Sequence, residues 1–200
     1  MSFSSDYLDE CIRTINKLDP TKIDDLAMSI ANLREQNGRL FFLGVGGSAA
    51  NCSHAVNDFR KIAEIESYTP IDNVAELTAR TNDEGWKTVF SEWLKMSKLN
   101  KNDLLFVLSV GGGNSKKNIS VNIVNAIKYA KKTNCHVIGI TGKKVGYTQK
   151  NSYACIVVPL QNKITLTPHA EAWQSTIWHL IVTDPRIQSY SNKWESIDKK

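Results

Sequence analysis

Leu40-Phe41-Phe42-Leu43-Gly44-Val45-Gly46-Gly47-Ser48 sets an apolar run directly against a glycine- and serine-rich turn. A run this short and this uniformly apolar reads as a strand buried on both faces, the habit of a parallel sheet. Three further runs share the texture: Leu104-Leu105-Phe106-Val107-Leu108, Val137-Ile138-Gly139-Ile140 and Cys155-Ile156-Val157-Val158. Helical spacing fills the intervals. Ile119, Ile123, Val124, Ile127 and Ala130 line one face of a helix expected over Lys116 to Lys132. Phe90, Trp93, Leu94 and Leu99 suggest another, and Trp173, Ile177, Leu180 and Ile181 mark a last one from about Pro168 to Val182. Strands alternating with helices predict an α/β fold with right-handed crossovers and helices on both sheet faces.

Two helices precede the first strand. Tyr7, Leu8, Cys11, Ile12, Ile15 and Leu18 recur at helical spacing, and Asp19-Pro20 ends that pattern because the residue before proline avoids the α region. Thr21 is the expected cap of the next helix, whose stripe is Ile23, Leu26, Ala27, Ile30 and Leu33, closed by Gln36-Asn37-Gly38. The expected organisation is a single domain over 1–200: a helical extension (1–37), an α/β core (38–183) and a polar tail (184–200).

The 200 residues suffice to bury a core without staples. An apolar share of 42% and a charged share of 22% are ordinary for a globular chain and argue against global disorder. The net charge of +5 permits an anionic ligand. The lysines are scattered rather than striped, so nucleic acid is not an expected partner. Cys11, Cys52, Cys135 and Cys155 form no Cys-x-x-Cys pair, which argues for free thiols in a reducing compartment. The N-terminus shows no signal-peptide pattern, and no apolar run approaches the roughly 20 residues that span a bilayer. A cytoplasmic protein with no membrane partner is the expectation.

Two strands run into similar chemistry. The first leads into Gly44-Val45-Gly46-Gly47-Ser48, and the second into Ser109-Val110-Gly111-Gly112-Gly113-Asn114-Ser115, each expected to open a helix. Glycines let the backbone approach a ligand, and the free N–H groups at a helix start attract an anion. Neither loop is a Walker A or a dinucleotide fingerprint. Two such loops on one sheet suggest a phosphorylated small molecule at the carboxyl ends of the strands.

Histidines and carboxylates form a second signal. His54 and Asp58 stand four apart on the helix after the first loop, and the last helix carries His169, Glu171 and His179. Glu171 and His179 share a face but differ by roughly 12 Å in rise. Two imidazoles and two carboxylates would suit Zn²⁺ or a similar ion, or an acid/base pair with His179 as proton donor. A surface pair at His54 and Asp58, and a core histidine beside Trp178, would produce the same spacing.

These residues resemble the sugar isomerase (SIS) fold family, and within it the phosphoheptose isomerases, over nearly the whole chain. The family's first loop stands here as Gly44-Val45-Gly46-Gly47-Ser48, its histidine six residues later as His54, and its next glutamate as Asp58. Its substrate-contacting Asn-Asp pair is Asn82-Asp83, followed by Gly85-Trp86; its second loop matches Ser109 and Gly113-Asn114-Ser115, with one extra residue between. Its Thr-Gly after the next strand is Thr141-Gly142, and the glutamine and histidine of its last helix are Glu171 and His179. The resemblance implies a flavodoxin-like three-layer sandwich with a five-stranded parallel sheet. It implies a homotetramer with sites between subunits, and a divalent metal, Zn²⁺, held by His54, Asp58, Glu171 and His179. Asp58, Glu171 and His179 become the catalytic residues. Gly46, Gly47, Ser48, Asn82, Asp83, Ser109, Asn114, Ser115 and Glu171 become the substrate-binding set.

The implied activity is an aldose–ketose isomerase converting sedoheptulose 7-phosphate to a heptose 7-phosphate through an enediol. Val45, Asp58 and Glu171 depart from the family pattern, marking a divergent subgroup. A non-catalytic sugar-phosphate module, or an isomerase of another phosphosugar, remains open on the residues alone.

Overall fold

The computed structural model describes residues 2–160 and 162–191. Five parallel strands form one sheet: β1 (Leu40–Leu43), β2 (Ser67–Tyr68), β3 (Leu104–Ser109), β4 (His136–Thr141) and β5 (Ala154–Val157), in the order β2-β1-β3-β4-β5. The four apolar runs are strands as expected. β2 has only two residues, one of them a serine, too short and too polar to show in a hydrophobic pattern.

Among the described residues eight helices surround the sheet: α1 (Phe3–Ile15), α2 (Pro20–Glu35), α3 (Gly47–Lys61), α4 (Val74–Asp83), α5 (Val89–Met96), α6 (Val121–Lys132), α7 (Tyr147–Asn151) and α8 (Leu166–Val182). Alternate strand residues feed two cores. Leu40, Phe42, Phe106, Leu108, Ile138 and Ile140 pack against α2, α3 and α8 on one face. Phe41, Leu43, Leu105, Val107 and Val137 pack against α5 and α6 on the other. The result is the expected three-layer α/β sandwich.

Several local expectations change. Asp19, not Thr21, caps α2: its carboxylate accepts the Thr21 amide at 3.1 Å, and Pro20 takes the first helical position, where no N–H is needed. α2 buries Ile23, Leu26, Ile30 and Leu33 in the same core as the sheet, although the sequence placed it in an extension. The helix expected from Lys116 begins only at Val121. Asn114 and Ile119 instead exchange two backbone hydrogen bonds, and Ile119 is exposed rather than on the buried face. Leu180 is likewise exposed. The tail is not free at its start: Ile187 is buried, and the Ser189 and Tyr190 amides bond to the Ile62 carbonyl. Positions 192–200 lie outside the described residues.

The strand order places the site. It reverses between β1 and β3, so the connections from these neighbours leave in opposite directions and open a crevice at their carboxyl ends. Both glycine-rich loops start there, with Leu43 paired to Val107 just before them.

Candidate functional site

The first loop turns sharply into α3. Gly46 has φ 66°, a conformation that side chains disfavour, and it precedes the helix without a side-chain cap. Among the described residues no side chain caps the amides that open α3. Gly47 lies against the Glu171 side chain of α8. A Cβ there would lie 2.4 Å from Oε2 of Glu171, so the Glu171 carboxylate rests directly on the glycine. It sits at the positive end of the α3 dipole. Ser48 is buried, and among the described residues its hydroxyl has no partner.

α3 and α8 are tied at this end by Asn51, whose amide donates to the Glu171 carbonyl at 2.9 Å and to Gln174 Oε1 at 3.3 Å. Neither Asn51 nor Gln174 stands out in the sequence. Their only signal was polarity on otherwise apolar helix faces.

One turn further along α3, His54, Asp58 and His179 meet. Their ligand-capable atoms all lie within 4.8 Å of one another. Asp58 Oδ2 is 3.7 Å from His54 Nε2 and 3.8 Å from His179 Nε2. His179 Nδ1 lies 2.8 Å from the Ser175 carbonyl, which accepts its proton and leaves the Nε2 lone pair facing Asp58. The Asn57 amide holds the other Asp58 oxygen at 2.8 Å. Trp178, fully buried, stacks on His179 at 3.6 Å and meets the His54 ring edge-on at 4.8 Å. It is an apolar wall behind both imidazoles, and the sequence showed it only as a neighbour of His179.

Two imidazoles and one carboxylate with converging atoms fit a divalent cation of the zinc class. Both histidine side chains are substantially exposed, at 55% and 42%, so the face opposite Trp178 is open to a ligand. Glu171 stands apart from this group, two helical turns earlier, against the first loop.

The second loop is more braced than the sequence suggests. The Ser109 hydroxyl accepts the Gly112 amide at 3.0 Å, and Thr148 donates to the Gly112 carbonyl at 2.9 Å. Asn114 spends its amide and carbonyl on Ile119 and its side chain on the Lys117 amide. Ser115 is exposed beside Lys116 and Lys117, which are exposed too. Asn82 and Asp83 end α4 on the surface, hydrogen-bonded to each other at 2.8 Å.

A model of the SIS domain family matches residues 5–142. The probable phosphoheptose isomerase of Thermoplasma acidophilum is 30% identical over 145 residues, covering 70% of this chain and 76% of the relative. The phosphoheptose isomerase of Rhodospirillum rubrum is 28% identical over 177 residues, covering 86% and 88%. Among solved structures, a phosphoheptose isomerase from Neisseria gonorrhoeae superposes with a TM-score of 0.74 at 22% identity, over 89% of this chain and 97% of that one.

Proposed function

Because the chain belongs to the SIS domain family, and within it to the phosphoheptose isomerases, we propose that it is an aldose–ketose isomerase that converts sedoheptulose 7-phosphate to a heptose 7-phosphate through an enediol. The observation that carries the reading is the convergence of His54, Asp58 and His179 from α3 and α8, beside a glycine loop on which Glu171 rests.

The roles follow from where the charges lie. The Glu171 carboxylate occupies the start of α3 and repels a second anion there. The phosphate is therefore held at the second loop, by Ser115, free loop amides and the nearby Lys116 and Lys117, while Ser109 and Asn114 keep that loop in shape. The carbonyl end of the sugar then faces α3 and α8, where Gly46, Gly47 and Ser48 shape the floor. Asn82 and Asp83 are assigned to the sugar hydroxyls.

Asp58 lies between two imidazoles as a ligand-capable group, with its other oxygen held by Asn57. Glu171 is the free carboxylate, and it moves the proton between C1 and C2. His179, oriented by Ser175, presents Nε2 to the site, where it serves as a cation ligand or, without the ion, delivers and removes protons at the two sugar oxygens. His54, Asp58 and His179 would hold the divalent cation. A bound cation of this kind polarises a carbonyl and stabilises the enediolate charge.

The protein is placed in the cytoplasm, which suits four free thiols. It is placed in a homotetramer with sites between subunits. Phe3, Leu8, Ile12 and Ile15 on α1 are exposed and supply an apolar face for such an assembly to cover.

The test is the purified protein with sedoheptulose 7-phosphate, with and without added Zn²⁺, alongside a panel of five- to seven-carbon ketose phosphates. Formation of an aldoheptose 7-phosphate supports the assignment. Saturable binding without turnover in every condition sinks it in favour of a non-catalytic module, and turnover of a shorter sugar alone reassigns the substrate.

A further inference from the structure

A second polar cluster lies outside the site, where α1 seats against α8. His169 is almost fully buried, with a side-chain exposure of 3%, and its ring stacks on Tyr7 at 4.1 Å. Its Nε2 is 2.8 Å from Glu10 Oε2. Glu10 also accepts the Thr165 hydroxyl at 2.5 Å and the Asn162 amide at 2.7 Å. The hydrogen bonds from Thr165 and Asn162, opposed in part by desolvation and supported by His169, hold the Glu10 carboxyl below its usual range. An ionised carboxylate can only accept, so His169 carries its proton on Nε2. That leaves the Nδ1 lone pair, and Cys11 Sγ lies 3.8 Å from it.

Carboxylate, imidazole and thiol thus stand in line: a nucleophile within reach of a base, and the base oriented by a third group. The other three cysteines lack this. Burial pushes the Cys52 thiol far up, Cys135 to about 12 and Cys155 to about 11, which leaves them protonated and inert. Cys11 is only partly buried. The crevice beside the cluster, lined by Glu10, Arg13, Thr14, Leu160, Asn162 and His169, measures about 10 Å³.

We propose that Cys11, activated by His169 and Glu10, is a reactive thiol that small hydroperoxides oxidise to a sulfenic acid. His169 Nδ1 takes the thiol proton. The sulfur attacks one peroxide oxygen, the S–O bond forms and the O–O bond breaks. The departing oxygen collects the proton from His169 and leaves as water or an alcohol. Sulfur loses two electrons and the peroxide gains them. Isomerisation requires none of these residues, so the inference stands or falls apart from the proposed function.

The experiment treats the native protein with hydrogen peroxide in the presence of dimedone, with adducts mapped to each cysteine by mass spectrometry. Cys11 should acquire the adduct at least tenfold faster than Cys52, Cys135 or Cys155. Glu10→Gln and His169→Asn should each slow it at least fivefold, and Cys11→Ser should remove the adduct while leaving isomerase activity unchanged. If His169→Asn does not fold, Glu10→Gln alone decides. Labelling of Cys11 no faster than in the urea-unfolded chain, or at an unchanged rate in the folded variants, overturns the proposal.

Discussion

α8 carries two histidines ten positions apart, and they live in opposite surroundings. His169 is buried, stacked on Tyr7 and bonded at both nitrogens, to Glu10 and Cys11. His179 is 42% exposed; its Nδ1 is fixed by a backbone carbonyl, and its Nε2 faces an acidic group too distant for a direct hydrogen bond. His169 reaches only the protein groups that enclose it, the Glu10 carboxylate and the Cys11 thiol. His179, with a single oriented, open nitrogen, is equipped to bind a ligand or to move its protons. Residue type alone does not separate the two; the partners on each nitrogen do.

Substitutions at the open end should produce the largest effects. His179→Ala should lower turnover by about 10²–10⁴-fold with sugar-phosphate binding retained, measured by steady-state kinetics and calorimetry. Full activity in that variant would remove the contrast between the two histidines. Gly47→Ala comes next. Its Cβ would displace the Glu171 carboxylate, and a shift of about 1 Å in a proton-transfer group should cost roughly 10²-fold in kcat, with little change in thermal midpoint.

At the closed end the effect should fall on stability instead. His169→Leu leaves the Glu10 carboxylate short of one donor and removes the imidazole that joins α8 to Cys11, so urea unfolding should show a lower midpoint. kcat should stay within about twofold.

The smallest effect concerns acid. Glu10 has a lowered folded-state pKa, so its contribution to stability is fully present above the unfolded value of about 4.3 and fades as pH falls through the folded one. Asp184, held down chiefly by Arg186, acts in the same direction. Unfolding followed from neutral to acid pH should therefore show a decline below about pH 4 that Glu10→Gln makes shallower. An identical pH profile in that variant would show that the cluster contributes nothing.

The fold was largely readable because its strands are buried on both faces and its helices repeat their apolar residues at a constant spacing. What escaped the sequence depends on partners far along the chain. Ser67 and Tyr68 form a strand only because β1 lies beside them. Ile119 looked like part of a helix face until Asn114 claimed its backbone. In the site, His54 and Asp58 were legible from their four-residue spacing; His179 joined them only through the family resemblance, since no spacing within one helix brings α8 onto α3. The same long-range contact explains why Trp178 and Asn51 were passed over, and why Glu171 was grouped with ligands from which it stands apart.

The central claim is that this crevice moves a proton between C1 and C2 of a seven-carbon ketose phosphate. The most direct measurement is NMR of sedoheptulose 7-phosphate incubated with the protein in D2O. An aldoheptose 7-phosphate should appear with deuterium at C1 of the remaining ketose and C2 of the product, and both signals should vanish in Glu171→Gln. Bound substrate with neither exchange nor product, or full exchange in Glu171→Gln, would contradict the account.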